Sequence, residues 1–442
     1  MDFKQAIIAF LGLQDVKIID LKISKKQRTV VVKVQQRRDS CFCRHCGEQF
    51  CEVKDWDLKV LRAPPLGVFQ HVTVKFIQLR GRCDYCDRTS VAEVDWIHPK
   101  FSSMTCGFAE VAGRLMEEIS CEAVGRILFL NSKTIWSLDQ YRMATMMQYL
   151  HMPDDIDVSY LAADEVHFRT IEIKNRVGLF AKRWRPEFVT NVVAPKAGKV
   201  LFNAIGRDSK ALAGALSILS PEQKKSVQRF AVDMHDPFMK TINEECPNAL
   251  ICVDRFHLAQ KVNETFDKVR RFEFRKAKDT NDKISRDMLE PHRRFILVSR
   301  EKDLSKSEQK LVDKLRRVNE PIHIAMLLVE YFHKALDKKT IKGFRETLIT
   351  WCRVVRESKL EPFLKFAKTI RKYRRNIEAY ISSRLTTAVA EGLNNKIKVL
   401  RRMGYGYTNA VSYCRKILQR CGYLNHLSKN TDEFFYRVPA PR

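Results

Sequence analysis

The stretch "SYLAADEVHF" (residues 159–168) is an apolar run interrupted by two acids, which predicts a buried strand that carries charge. The segments "EFVTNVVAP" (187–195) and "GKVLFNAIG" (198–206) follow as a predicted hairpin. After a predicted helix over 209–219, further strands are predicted at 227–234 and 249–254, with a helix over 237–246 between them. This alternation predicts an α/β sheet.

Three strands, a helix, a strand, a helix and a strand suggest a sheet of the ribonuclease H type, in which the first and fourth strands are central neighbours. Asp164 and Asp233 end these two strands. Neighbouring strands lie about 4.8 Å apart, so we predict that both carboxylates bind divalent metal. Asp254 ends a strand about 10 Å from the first, which favours an outer-shell role for it and for His257. Glu391, a lone acid in a basic helical segment, is the predicted third ligand.

Each of these acids could instead cap a helix or form a surface ion pair. Two neighbouring acids, Glu165 and Asp236, are not chosen as ligands. Asp236 precedes Pro237, which predicts the N-cap of the next helix.

Two Cys-x-x-Cys pairs predict a structural zinc site near the N-terminus. Four thiolates close a tetrahedral zinc site at about 2.3 Å and leave no position for a substrate. Other candidates for a ligand position are Cys41, Cys51 and His45, whose spacing does not match the second pair. The predicted zinc ligands are Cys43, Cys46, Cys83 and Cys86.

Three short helices are predicted between residues 108 and 150, with Ser132 as the N-cap of the third. This arrangement suits a helix-turn-helix, although any three-helix bundle has a similar pattern. The recognition helix is predicted near residues 132–141. Two β-strands in a hairpin are predicted within the first 35 or so residues.

The charge of the chain indicates a polyanionic partner. The 442 residues include 80 Lys and Arg against 52 Asp and Glu, a net charge of +28, with the basic residues in clusters.

No apolar run approaches the ~20 residues that a bilayer requires. The 13 cysteines favour a reducing compartment and metal binding over disulfides. We therefore expect a cytoplasmic, nucleoid-associated protein without a membrane span.

The motifs together resemble the DDE transposases of bacterial insertion sequences, specifically the ISL3 group. The resemblance covers nearly the whole length and depends on the cysteine pairs, the three-helix segment, "ADEVHFR", "AVDMHDPF", "PNALICVDRFH" and "EGLNNKIKVLRRMGYGY". It implies a ribonuclease H-like core interrupted by a helical insertion. The acids of the family fall on Asp164, Asp233 and Glu391, and its Asp-x-x-His pattern falls on Asp254 and His257.

The predicted fold is a multidomain α+β chain. Its predicted parts are a β hairpin and zinc ribbon (1–100), a helix-turn-helix domain (101–155), the first part of the ribonuclease H-like core (156–258), an all-helical insertion (259–380) and the second part of the core with a C-terminal tail (381–442).

The resemblance implies a transposase that binds terminal inverted repeats and, with two Mg²⁺ or Mn²⁺ ions, cleaves and transfers DNA strands. The expected partners are double-stranded DNA, both the inverted repeats and the target, and further copies of the chain in a homodimer or higher oligomer. The alternatives are a transposase-derived DNA-binding regulator without catalysis and a nuclease that cleaves without joining. The predicted DNA contacts are Ser132, Lys133, Arg270, Arg271, Arg275, Lys396, Lys398, Arg401 and Arg402.

Aromatic side chains could stack on an unpaired base, and Trp351, Tyr405 and Tyr407 are the candidates. Core packing is the alternative for all three, and it is favoured for Trp351.

Overall fold

The computed structural model of the chain describes residues 3–50, 52–92, 94–150, 155–173, 183–290, 297, 305–384, 388–404 and 407–425. Its contacts divide the chain into two compact units, residues 1–150 with 399–442 and residues 151–398. The described residues between 399 and 425 therefore group with the N-terminal half. The five-part division stays a prediction, and residues 152–154 of its "MPDDID" boundary lie outside the described residues.

The first unit begins with a short helix and a five-stranded sheet in the order β1-β2-β4-β3, with β5 paired to β4. The predicted hairpin is confirmed as the antiparallel pair β1 and β2. Alternate residues of β2 and β4, such as Val32, Val34, Val74 and Phe76, are fully buried, so one face of the sheet forms the core. The elements are α1 (Phe3–Phe10), β1 (Val16–Ser24), β2 (Thr29–Gln36), a 3₁₀ turn (Arg38–Ser40), β3 (Glu52–Ala63), β4 (His71–Arg82) and β5 (Thr89–Val91).

Three helices follow as predicted: α2 (Cys106–Glu118), α3 (Cys121–Leu128) and α4 (Ser132–Gln148). The predicted cap of α4 was wrong by one residue. Asn131 holds the N-cap position and its side chain accepts from the Lys133 amide, which leaves Ser132 as the first helical residue.

The last described helix of the first unit, α16 (Ala410–Cys421), packs against α2 and α4. Its Lys416 is buried and donates from Nζ to the Asp139 carboxylate at 2.8 Å and to the Met116 carbonyl at 2.7 Å. A charge buried at this depth requires such partners, because an unpaired one is costly. Hence α16 completes the packing of the three-helix segment.

The second unit contains a five-stranded sheet in the order β10-β9-β6-β7-β8. Strands β6, β7 and β8 are antiparallel, while β9 and β10 run parallel to β6. The predicted order of strands and helices is confirmed, with one additional helix, α6. The elements are β6 (Tyr160–Ile173), β7 (Arg183–Ala194), β8 (Lys199–Ile205), α5 (Ser209–Leu216), α6 (Pro221–Ser226), β9 (Arg229–Val232), α7 (Asp236–Glu245) and β10 (Leu250–Val253).

The prediction that Asp236 caps α7 was wrong, because His235 holds the N-cap position and Asp236 is the first helical residue. The Asp236 carboxylate instead accepts from Lys372 Nζ and from the Tyr373 hydroxyl, each at 2.5 Å.

A long helical region follows the sheet. Its helices pack on one another through buried aromatic residues such as Trp351, Phe332 and Phe366. Trp351 is fully buried and donates from Nε1 to the Leu328 carbonyl, which confirms core packing over base stacking. The helices are α8 (Arg255–Asp279), α9 (Lys283–Met288), α10 (Lys306–Val318), α11 (Glu320–Leu336), α12 (Ile341–Ser358), α13 (Glu361–Lys372), α14 (Arg374–Ser383) and α15 (Ala388–Met403). Among the described helices, none combines the length and the apolar character of a membrane span.

Candidate active site and metal centres

Three aspartates lie at the same level of the second sheet. Ala162 of β6 pairs with Ala231 of β9, so two residues further the parallel register brings Asp164 beside Asp233. Val232 pairs with Val253 of β10, and one step further this register aligns Asp233 with Asp254. With strands about 4.8 Å apart, these side chains form one row across three strands.

Asp164 is held by two hydrogen bonds at the centre of this row. Its Oδ1 accepts from the Glu165 amide at 2.7 Å, and its Oδ2 accepts from Asn394 Nδ2 at 2.6 Å. Burial raises the pKa of Asp164, and the negative charge of Asp233 acts in the same direction. Asn394 belongs to α15, so this contact fixes the start of α15 against the sheet.

Glu391 lies one helical turn before Asn394 on α15. Burial raises its pKa, and so do the charges of Asp254 and Asp164, while the positive charges of His257 and Lys398 oppose them. The glutamate predicted from a distant segment therefore lies within electrostatic range of the aspartate row.

The predicted supporting pair lies beside the row. His257 Nδ1 is 3.5 Å from Asp233 Oδ2, and Asp254 is almost fully buried at the start of α8. The strand that precedes Asp254 is two strands from β6, as predicted, and the charge of Asp254 contributes to the raised pKa of Glu391.

The four predicted cysteines form the most compact ligand set. Among the described residues, they are the one group of three or more His, Cys, Asp or Glu side chains whose ligand atoms all lie within 4.8 Å. Cys43 Sγ is 3.7 Å from Cys86 Sγ, and Cys46 Sγ is 3.4 Å from Cys83 Sγ. A tetrahedron of sulfurs around zinc has edges of about 3.8 Å, so this donor set fits the ion.

Local hydrogen bonds favour a thiolate at Cys43. Burial would raise the pKa of Cys43, but hydrogen bonds from the backbone amides of His45 and Cys46 and from the side chains of Cys86 and Ser90 together lower it to about 6, while the pKa values of the neighbouring Cys46 and Cys86 are raised. Cys41 is outside the cluster and its Sγ contacts the Arg37 carbonyl at 3.3 Å. Cys51 lies outside the described residues.

Glu165 was not predicted as a metal ligand, yet its carboxyl group is affected by the charges of Asp164 and Asp233. It lies on the opposite sheet face from Asp164, in register with Thr190 and Ala204. Helix α5 covers that face, since a Cβ added to its Gly214 would contact Ala204 at 3.6 Å. Burial, together with the charges of Asp164 and Asp233, raises the pKa of Glu165 to about 7.

The raised pKa of Glu165 makes a prediction about stability. The folded state holds the proton more tightly than the unfolded state, whose pKa is near 4.5, so the stabilising contribution is complete below pH ~4.5 and is lost as the pH rises through about 7. Without added Mg²⁺, Glu165→Gln should exceed the wild type in unfolding free energy by on the order of 3 kcal/mol above pH 7, with no difference near pH 4.5.

Urea denaturation between pH 4.5 and 8 measures this difference. Glu172→Gln, at an exposed position of the same strand, is the matched control for replacing a carboxylate by an amide. A constant difference for Glu165→Gln would contradict the prediction.

With this geometry established, comparison with known proteins identifies the family. A sequence model of the ISL3-type DDE transposases, described as a transposase family, matches residues 180–417, more than half of the 442-residue chain. The chain belongs to this family. The matched stretch of this ISL3-family chain includes Asp233, Asp254 and Glu391 but begins after Asp164. The placement of Asp164 beside Asp233 therefore depends on the register of β6 and β9 alone.

Two relatives of this ISL3-family chain carry transposase names. It is 24% identical to the transposase for insertion sequence element IS1001 of Bordetella parapertussis over 392 residues, 88% of this chain and 91% of that protein. It is 22% identical to the transposase for insertion sequence element IS1557 of Mycobacterium tuberculosis over 238 residues, 50% of this chain and 53% of that protein.

The predicted DNA contacts of the family member differ in their exposure. Arg270 is buried on α8, where it donates to Asp267 at 2.9 Å and to the Leu289 carbonyl, so its charge is compensated within the protein. Arg271 is exposed and pairs with Asp267 at 2.7 Å. The other exposed residues of the predicted set are Lys133, Arg275, Lys396, Lys398 and Arg402, while Ser132 and Arg401 are half-buried.

The first turn of α4 borders a cavity of about 530 Å³ within the first unit. Ser132, Lys133 and the exposed Trp136 form one side, and Leu400 with Tyr407 forms another. The predicted reading residues of α4 are therefore at the edge of a largely apolar concavity. Tyr405, the other aromatic residue predicted for stacking, lies outside the described residues.

Proposed function

We propose that this chain binds the terminal inverted repeats of an insertion sequence and catalyses metal-dependent cleavage and transfer of DNA strands. The observation that carries the proposal is the grouping of three acids: the register of β6 and β9 brings Asp164 beside Asp233, and Glu391 lies one helical turn before the Asn394 that donates to Asp164. Like charges gathered in a partly buried site are typical of a functional centre, because burying them without cations costs stability. Family membership supports the same activity.

The proposed catalytic fold is of the ribonuclease H type. The support is a central strand, β6, with the antiparallel β7 and then β8, antiparallel to β7, on one side, and the parallel strands β9 and β10 on the other. Asp164 on the central strand and Asp233 after its parallel neighbour lie where that fold class would position a pair of metal ligands.

Asp164, Asp233 and Glu391 would hold two Mg²⁺ or Mn²⁺ ions, whose donor preference is carboxylate oxygen. When bound, such a pair activates the attacking oxygen and stabilises the leaving oxygen of a phosphodiester. The protein contributes position: Asn394 orients the Asp164 carboxylate, His257 lies beside Asp233, and Asp254 adds negative charge next to Glu391.

DNA recognition is proposed for two regions. The zinc ribbon and the three helices, as a helix-turn-helix with Ser132 and Lys133 on its reading helix, would find the inverted repeats. Exposed cations would contact phosphates without reading sequence. The exposed ones are Arg271, Arg275, Lys396, Lys398 and Arg402, and the half-buried Arg401 would act with them. Arg270 is omitted because it is buried and paired. Catalysis on two element ends favours a dimer or higher oligomer.

A strand-cleavage and strand-transfer assay on inverted-repeat DNA tests the proposal. Wild-type protein with Mg²⁺ is expected to nick the ends and join them to target DNA. Tight binding without nicking would instead indicate a regulator that has lost catalysis. Nicking without joining would indicate a nuclease.

A further inference from the structure

The side chain of Asn191, in the second sheet, is fully buried. Asn191 of β7 has no exposed surface, and neither its Oδ1 nor its Nδ2 has a hydrogen-bonding partner among the residues that the structure describes. Burying an amide without hydrogen bonds lowers stability, and an apolar residue of similar size would avoid that cost. A hydrogen bond that Asn191 makes only when a ligand is bound would explain why this position holds an asparagine.

Asn191 lies directly beside the central acid of the proposed active site. It is the cross-strand partner of Asp164, and on its other side its partner is Asn203 of β8. Cross-strand partners point to the same face and have Cβ atoms about 5 Å apart. The aspartate row therefore continues through Asn191 to Asn203, on the face opposite the one that α5 covers.

We propose that Asn191 is a positioning residue for the divalent-cation site, a role that rests on the proposed function. In the free protein both oxygens of Asp164 accept hydrogen bonds, from the Glu165 amide and from Asn394. When Asp164 turns an oxygen to a cation, Asn191 Nδ2 donates to the carboxylate and fixes its new orientation.

The choice of an amide fits this role. Asn191 and Asn394 are both neutral donors, so they satisfy lone pairs of Asp164 without cancelling the negative charge that binds the cation. A lysine or arginine at either position would compete with the cation for that charge. Removing a residue that hydrogen-bonds to a metal ligand typically weakens metal binding about 10- to 100-fold.

The proposal is tested by measuring the Mn²⁺ affinity of the zinc-loaded protein by titration calorimetry without DNA. Asn191→Leu, close in size but apolar, is expected to bind Mn²⁺ at least about tenfold more weakly than the wild type. Without Mn²⁺, its unfolding temperature should equal or exceed that of the wild type. Asn203→Leu, one strand further from Asp164, is the matched control and should keep wild-type affinity. Wild-type affinity in Asn191→Leu would overturn the proposal.

Two further variants keep the test decisive. If Asn191→Leu does not fold, Asn191→Ser, which keeps a donor, is compared with Asn191→Ala, and equal Mn²⁺ affinities overturn the proposal.

Asp164→Asn distinguishes a failure of the proposed active site from a failure of the role of Asn191. If Asp164→Asn binds Mn²⁺ like the wild type, the proposed active site itself is wrong, whereas loss only in Asp164→Asn and not in Asn191→Leu removes the role of Asn191 alone.

Discussion

Glu391→Gln is expected to reduce Mg²⁺-dependent strand cleavage about a thousandfold or more, equivalent to ~4 kcal/mol of activation free energy, while DNA binding stays at the wild-type level. Glutamine keeps the shape of the side chain but removes a charged metal ligand. Because Glu391 is remote in sequence from Asp164 and Asp233, this variant tests whether α15 contributes to the same site.

The pKa of Glu391 gives this variant a second readout. Burial and the charges of Asp254 and Asp164 raise that pKa, so without cations the ionised form is disfavoured in the folded state. Glutamine resembles the protonated form, and above the folded pKa of Glu391 the metal-free variant should therefore be at least as stable as the wild type. A loss of cleavage with unchanged stability thus separates a catalytic role from a structural one.

Glu346→Gln is the matched control, because Glu346 is an exposed glutamate in the middle of α12. It should keep full activity, DNA binding and stability. Normal cleavage and transfer by Glu391→Gln would show that the third ligand lies elsewhere.

Cys83→Ser is expected to abolish stoichiometric zinc binding and to weaken binding to element ends by more than about tenfold. Structural zinc contributes about 10–16 kcal/mol in small zinc domains, and the free energy of binding there is folding free energy. A serine hydroxyl does not replace the thiolate at the cluster of Cys43, Cys46 and Cys86. Metal analysis and a DNA-binding titration measure the two effects.

Cys41→Ser is the matched control for zinc. Cys41 is as buried as Cys83 but lies outside the cluster, and serine can still donate to the Arg37 carbonyl. This variant should retain zinc and end binding. Purified wild-type protein without zinc would contradict the assignment, as would equal zinc loss in both variants.

The hydrophobic pattern predicted the strands of the second sheet well, because buried strands have short runs of apolar residues between turn residues. Asp233 and Asp254 follow directly after β9 and β10 as predicted, whereas the prediction that Asp164 ends its strand was wrong, because β6 continues to Ile173. The pairing of β6 with β9 brings Asp164 beside Asp233. The cysteine cluster was predictable for a similar reason: two pairs of equal spacing fit one tetrahedral ion.

Other features depend on packing that a single segment does not reveal. Arg270 appeared to be one cation of a basic cluster, although its position four residues after Phe266 places it on the buried stripe of α8. The raised pKa of Glu165 has no signal in the sequence, because it comes from burial in the folded sheet and from the nearby charges of Asp164 and Asp233. Asn191 did carry a signal, because it is the one amide side chain of β7 and is followed by the apolar residues Val192, Val193 and Ala194.

The buried Lys416 has a consequence for synthesis. Its partner Asp139 lies in α4, which leaves the ribosome long before residue 416 does, so the early helices are synthesised well before the cation that pairs with Asp139. Premature stop codons upstream of α16 should accordingly yield chains that lack this ion pair and are prone to degradation.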